Sequence, residues 1–80
     1  MKSPEGWPRL KRDWTGLKVR LKRDVTNRGG DQFVKGQIMV INGYYCGVDL
    51  KELEKRPGLS HWKGVNRVSP NALELVHEEA

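Results

Sequence analysis

The hydrophobic and polar positions of this 80-residue chain alternate in short blocks, and the blocks predict strands. Leu17, Val19 and Leu21 alternate with Lys18, Arg20 and Lys22. That is the period of two expected of a strand with one buried face, over 17–23. The stretch 36–50, GQIMVINGYYCGVDL, predicts a hairpin. Asn42-Gly43 is a strong reversal signal because both residues tolerate the positive φ of a type I′ turn. That turn sets Ile41 against Tyr44, Met39 against Cys46 and Gln37 against Val48. Met39, Ile41, Tyr44, Cys46, Val48 and Leu50 then share one apolar face, with Ile38, Val40 and Tyr45 on the other. A turn at Cys46-Gly47 is the rival and regroups the faces. Gly64 to Val68 is a fourth strand segment and Ala72 to Val76 a fifth. Between them, Ser69-Pro70-Asn71 is turn chemistry with a proline suited to a helical first turn. The expected core comprises Val19, Leu21, Ile38, Val40, Val48, Leu50, Val65 and Leu75.

The segments between the strands carry turn residues and charge. Asp24 to Lys35 reads as a long loop with its tip at Gly29-Gly30, anchored on its return by Phe33 and Val34. Lys51 to Arg56 is polar, reads as one helical turn and is ended by Pro57-Gly58. Residues 1–16 read as an N-terminal arm, broken by Pro4, Gly6, Pro8 and Gly16. Its Trp7 and Trp14 either lid an open barrel end or stand beside cations on a binding surface, where rings stack on bases. Residues 77–80 read as a charged tail, which leaves 17–76 as the folded unit.

Eighty residues make one domain with a modest core, burying about 60–65% of the unfolded surface. A chain this short has no room for an enclosed active site, so an enzyme would build its site between subunits. Charge sharpens the picture. The net charge is +5, but residues 1–40 hold ten Lys/Arg against four Asp/Glu, while residues 41–80 hold five against six. A basic first half attracts phosphate or an acidic protein surface. Lys18, Arg20 and Lys22 project from one side of their strand, with cations about 6.5–7 Å apart along the chain. Arg23 follows them, and Arg28 stands beside the glycine pair, where backbone can approach a partner closely. A lone cysteine, Cys46, gives no internal disulfide and fits a reducing cytoplasm. Met1 is followed by Lys-Ser-Pro-Glu-Gly-Trp-Pro rather than an apolar run, so no signal peptide is expected. No apolar run has the length of a membrane span.

Catalytic and metal chemistry finds little support in the pattern. Cys46, His61 and His77 are scattered, whereas a metal site needs convergent ligands. Asp49, Glu52 and Glu54 read as solvated surface. The Gly-x-x-x-x-Gly-Lys-Ser/Thr spacing of a phosphate loop is absent. No catalytic residue, metal ligand or cofactor is therefore expected.

The five short strands, the long first loop, the tight hairpin and SPNALELV before the end resemble an SH3-like barrel over Gly16 to Val76. The resemblance implies an all-β fold, a small five-stranded SH3-like barrel preceded by the arm. The peptide-binding signature of SH3 domains, an Ala-Leu-Tyr-Asp-Tyr run and paired tryptophans, is missing. A more local similarity is to the plasmid-borne type II dihydrofolate reductases, which are also SH3-like barrels. It rests on Gly36-Gln37-Ile38, Tyr45-Cys46, Pro57-Gly58 and Ala72-Leu73-Glu74. That family's reactive pore depends on a Val-Gln-Ile-Tyr segment from four subunits. The matching stretch here is Val65-Asn66-Arg67-Val68, which retains only the valine.

The leading expectation is a non-enzymatic binding module. Its partner is nucleic acid or an acidic protein surface, met through Lys18, Arg20, Lys22, Arg23 and Arg28, with Trp7 and Trp14 as stacking groups. The alternatives are an oligomeric enzyme resembling type II dihydrofolate reductase and a small accessory subunit docked on a larger complex. Fold alone does not choose among them.

Overall fold

The computed structural model describes residues 6–76. Met1 to Glu5, which begin the expected arm, and the tail expected over 77–80 lie outside the described residues. All five expected strand segments form strands of one antiparallel sheet. They are β1 (Lys18–Leu21), β4 (Ile38–Tyr44), β5 (Val48–Glu52), β6 (Gly64–Val68) and β7 (Leu73–Leu75). Two further short strands, β2 (Val25–Thr26) and β3 (Gln32–Phe33), pair as a ribbon inside the long loop after β1. The described residues are all-β, with two 3-10 turns among them, Lys11–Asp13 and Pro70–Ala72. In the second, Ser69 Oγ accepts the Asn71 N–H at 3.3 Å and Pro70 stands first, as the Ser-Pro-Asn signal predicts.

The sheet order is β6-β5-β4-β1-β7, and the sheet does not close. β6 and β7 are its two ends and do not pair with each other among the described residues. The expected small five-stranded SH3-like barrel is corrected to an open five-stranded antiparallel sheet packed on one core. That core contains Trp14, Val19, Leu21, Phe33, Met39, Ile41, Val48, Leu50, Val65, Val68, Ala72 and Leu73, with Trp7, Leu17, Val25 and Leu75 packed against it. Val19, Leu21, Val48, Leu50 and Val65 are buried as expected, but Ile38, Val40 and Leu75 are only partly so. The reason is parity: with Met39 and Ile41 inward, their neighbours Ile38 and Val40 must face the other side of the sheet. Met39, Phe33 and Trp14 fill the core instead.

The central hairpin turns at Tyr45-Cys46-Gly47, not at Asn42-Gly43. Ile41 pairs with Leu50 and Tyr44 with Val48, and the register shifts between Ile41 and Gly43. Gly47 decides the matter. It takes φ +126°, and a Cβ there would lie 2.9 Å from the Arg67 carbonyl carbon and 3.0 Å from Val68 O. Only glycine meets both demands, while Asn42 is absorbed at the irregularity within β4. Cys46 is consequently exposed at the turn with φ 54°, rather than packed mid-strand, and Tyr44 is exposed as well. Lys51 and Glu52 extend β5, so KELEKR does not begin as a helical turn. Arg56 instead reaches back to pair with Glu52 at 2.7 Å.

The N-terminal arm is part of the core from Trp7 onward. The Trp14 indole is 1% exposed, and its Nε1 donates to Pro8 O at 2.7 Å. Trp7 meets it edge to face, with ring centroids 5.0 Å apart. The main chain ties the arm's end to the sheet through Gly16 N–H to Ile41 O and Ile41 N–H to Leu17 O.

Candidate functional site

The ribbon β2–β3 matters because it is fastened beside β6. Asn27, at the ribbon's turn, does the fastening with all its polar atoms. Its Oδ1 accepts the Asp31 N–H at 2.9 Å, and its Nδ2 donates to Asp31 Oδ2 at 3.0 Å and to Gly64 O at 2.9 Å. Lys63 Nζ also meets Asp31 Oδ2, at 3.2 Å. The Asn27 amide, and after it Lys63, holds the Asp31 carboxyl below the ordinary carboxylate range. The next residue, Arg28, thereby stands over a cleft of about 380 Å³ lined by Thr26, Asn27, Arg28, Gly29, Val65, Asn66 and Arg67.

A bulge in β6 presents Arg67 to this cleft. The β5–β6 register shifts between Val48 and Leu50, and Arg67 adopts φ 60°, an uncommon conformation for a residue with a side chain. The Asp49 carboxylate accepts the Arg67 N–H at 3.3 Å, and Gly47 packs against the Arg67 backbone. The bulge is therefore held from two sides.

The cleft does not stand alone. A second hollow, lined by Arg23, Asp24, Val25, Thr26, Val65, Asn66, Arg67 and Val68, shares four of these residues with it. Arg23 also lines a third hollow with Lys22, Ser69, Asn71 and Ala72. Lys22 in turn lines a fourth with Arg20, Leu21, Lys35, Gly36 and Glu74. Neighbouring hollows share at least one lining residue, and this string of hollows, the furrow, is lined by Arg20, Lys22, Arg23, Arg28, Lys35 and Arg67 and by the carboxylates Asp24 and Glu74. Both carboxylates are engaged: Asp24 Oδ1 accepts the Lys35 N–H at 2.7 Å, and Glu74 pairs with Arg20 at 3.0 Å. The side chains of Lys22, Arg23, Arg28 and Arg67 have no ion pair or hydrogen bond among the described residues.

The sequence-expected site is thus brought together in part. Lys22, Arg23 and Arg28 line the furrow as exposed cations. Arg20 lies on it but is paired with Glu74 across the β1–β7 register. Lys18 lies outside it and is partly buried. The tryptophans are a correction. Trp14 is a core side chain, 1% exposed, at the floor of a hollow it lines with Lys11, Tyr44, Tyr45, Cys46 and Gly47, and the half-buried Trp7 packs on it edge to face, as in the lid reading rather than the stacking one. The exposed indole is Trp62, 45% exposed, with Lys51 Nζ 4.9 Å and Lys55 Nζ 5.4 Å from its ring centroid. Sequence reasoning missed Arg67 and Trp62. Nothing local marks Arg67, because a bulge that aims it depends on β5. Trp62 lies in a polar stretch, but so do Trp7 and Trp14, so no local signal separates the exposed indole from the packed ones.

Among the described residues, no group of three or more His, Cys, Asp or Glu could hold a metal ion. No described helix is long and apolar enough to cross a membrane. The described residues form a small all-β protein with a string of basic-lined surface hollows. Comparison with protein-family models, curated proteins and solved structures finds no match for the chain.

Proposed function

We propose that the chain is a non-enzymatic binding module that holds nucleic acid along the basic furrow. The single observation that carries this reading is the string of four hollows, each sharing a lining residue with the next, with six cations, of which Arg20 is paired with Glu74. A string of this kind suits a polyanion rather than a small anion, because successive charges of one polymer can be met at once. Arg23, Arg28 and Arg67 supply guanidinium forks, which match phosphate geometry. The scaffold reading is an SH3-like arrangement. It is supported by the order β7-β1-β4-β5-β6, the long excursion between β1 and β4, and the 3-10 turn between β6 and β7. A reducing cytoplasm suits the one thiol, Cys46.

The test is fluorescence anisotropy with labelled oligonucleotides across a salt series. Binding on the order of micromolar at physiological salt is expected, weakening steeply with added salt as counterions are released. The triple variant R23A/R28A/R67A should flatten the log–log salt slope by about 2 on a single strand and remove most of the affinity. R20A should change little, because Glu74 already engages that guanidinium. Absence of binding at low salt, or a triple variant that binds like the parent, refutes the reading. Equal affinity for poly-glutamate would move the partner to an acidic protein surface.

A further inference from the structure

We propose that Trp62 is a stacking platform for an unpaired base, so that the polymer held in the furrow is single-stranded, with Lys51 and Lys55 contacting its flanking phosphates. The inference rests on the furrow's binding nucleic acid and adds the kind of strand.

Its starting point is an indole that the fold does not use. Trp14 belongs to the core and Trp7 packs against it, but Trp62 belongs to neither group. It is 45% exposed near the end of the loop between β5 and β6. An exposed tryptophan needs a reason, and here its position supplies one. Lys63, the next residue, is bound to Asp31, and Gly64 O accepts from Asn27. The chain after Trp62 is thus pinned to the turn that carries Arg28, then runs on as Val65, Asn66 and Arg67 along the furrow floor. Only Lys63 and Gly64 separate Trp62 from Val65, so their Cα atoms are at most about 11 Å apart. Trp62 therefore lies close in the chain to the residues that line the furrow, although its ring lines none of the four hollows.

The lysines over the ring point the same way. Lys51 and Lys55 lie within cation–π range; of the nearby acids, Glu52 is taken by Arg56 and Asp31 by Lys63, and the exposed Glu54 forms no ion pair with either lysine. Two ammoniums at one indole, without a carboxylate partner among the described residues, can give up the ring to a base. They then sit beside the phosphates on either side of it. A base offers the ring a larger flat face than an ammonium, and stacking of this kind tolerates any base. A duplex hides its base faces inside the stack, so only an unpaired strand can use this platform.

The experiment compares the full chain with W62A, W62Y and K51A/K55A, on single-stranded and duplex oligonucleotides of equal length across a salt series. Trp62 lies outside the core, so circular dichroism of W62A should match the parent. The expected result is a loss of about 5- to 100-fold in single-strand affinity for W62A, with the salt slope unchanged, because the indole carries no charge. W62Y should recover most of that loss, and duplex affinity should scarcely move. K51A/K55A should instead flatten the single-strand slope by about 1.4. Single-strand affinity of W62A within twofold of the parent overturns the stacking role while leaving the furrow reading intact. So does an equal loss on both substrates. If the parent binds neither oligonucleotide at low salt, the furrow reading falls and this inference with it.

Discussion

Asn27→Ala is the substitution that should most directly separate the furrow from the sheet beneath it. The native amide makes three hydrogen bonds: from Asp31 N–H, to Asp31 Oδ2 and to Gly64 O. Alanine removes all three and leaves the Asp31 N–H and the Gly64 carbonyl without their partner. Each neutral bond contributes about 0.5–1.5 kcal/mol net, and the one to the Asp31 carboxylate about 1.5–3 kcal/mol where it is shielded from water. The site is only partly buried, so water takes over some of the lost bonding. A total cost of about 1.5–3 kcal/mol follows. A domain of this size is stable by roughly 4–12 kcal/mol, so the variant should still fold, with a much reduced margin.

Urea unfolding followed by tryptophan fluorescence measures the effect, since Trp14 is central to the core. With a slope of about 1 kcal/mol per molar, the midpoint should fall by about 1.5–3 M. Asn27→Asp is the informative companion. It keeps the acceptor for the Asp31 N–H but loses both donations and sets a second carboxylate beside Asp31. It should therefore be no more stable than Asn27→Ala, and addition of salt should narrow any gap between them. Because Arg28 follows directly, Asn27→Ala should also weaken oligonucleotide binding. An Asn27→Ala midpoint within about 0.3 M of the parent would show that the ribbon is held by other contacts, and the account of how Arg28 is positioned would fail.

Three further outcomes are expected. Gly47→Ala should lower the thermal midpoint sharply, by more than the roughly 4–8 °C that accompanies 1 kcal/mol, because its Cβ meets the Arg67 backbone at 2.9 Å and φ is +126°. An unchanged midpoint would mean that the turn relaxes freely. Cys46 should react with a thiol reagent such as 5,5′-dithiobis(2-nitrobenzoate) in the native protein, stoichiometrically and without denaturant, and a protected thiol would contradict its place at the turn. Asp31 is held below its ordinary pKa by Asn27 and Lys63, so its interactions stabilise the fold above the unfolded value of about 3.9 and fade as pH falls through the lower folded value. Asp31→Asn should accordingly lose its destabilising effect in acid, read as converging urea midpoints of variant and parent below about pH 3.9, and midpoints that stay apart would refute the assignment.

Much of the scaffold was legible because local pattern suffices for it. Leu17 to Leu21 alternates, and Val19 and Leu21 are buried as their parity demands. Ser69-Pro70-Asn71 forms its turn through bonds confined to a few residues. The hairpin turn was less legible for a physical reason. Asn42-Gly43 and Cys46-Gly47 both satisfy local turn chemistry, and the choice falls to Gly47 only because β6 crosses so close to it. No property of residues 42–47 by themselves contains that contact. The tryptophans show the same limit from the other side: composition marks Trp7, Trp14 and Trp62 alike, and packing alone sorts them into core and surface.

The basic surface illustrates how register rewrites charge. On the sequence, Lys18, Arg20 and Lys22 form a regular row, and Arg67 is an isolated cation in an acidic half. In the fold, β1 pairs antiparallel with β7 so that Arg20 lies opposite Glu74, and the middle of the row is neutralised from 54 residues away. Just beyond β1, Lys22 N–H bonds to Ala72 O as the chain leaves the strand, and Lys22 and Arg23 turn into neighbouring hollows. Arg67 arrives by a separate route, through a bulge secured by Asp49 and Gly47. A pair as exposed as Arg20 and Glu74 contributes at most about 1 kcal/mol to stability, so its larger consequence is for the field. It removes one cation from the row, and the unpaired charge is displaced toward Arg23, Arg28 and Arg67. Glu74→Gln should therefore strengthen oligonucleotide binding at low salt and steepen its salt slope by up to about 0.7 on a single strand, as Arg20 becomes available to a phosphate. Binding that is indifferent to Glu74→Gln would mean that the polymer does not reach the β1 end of the furrow.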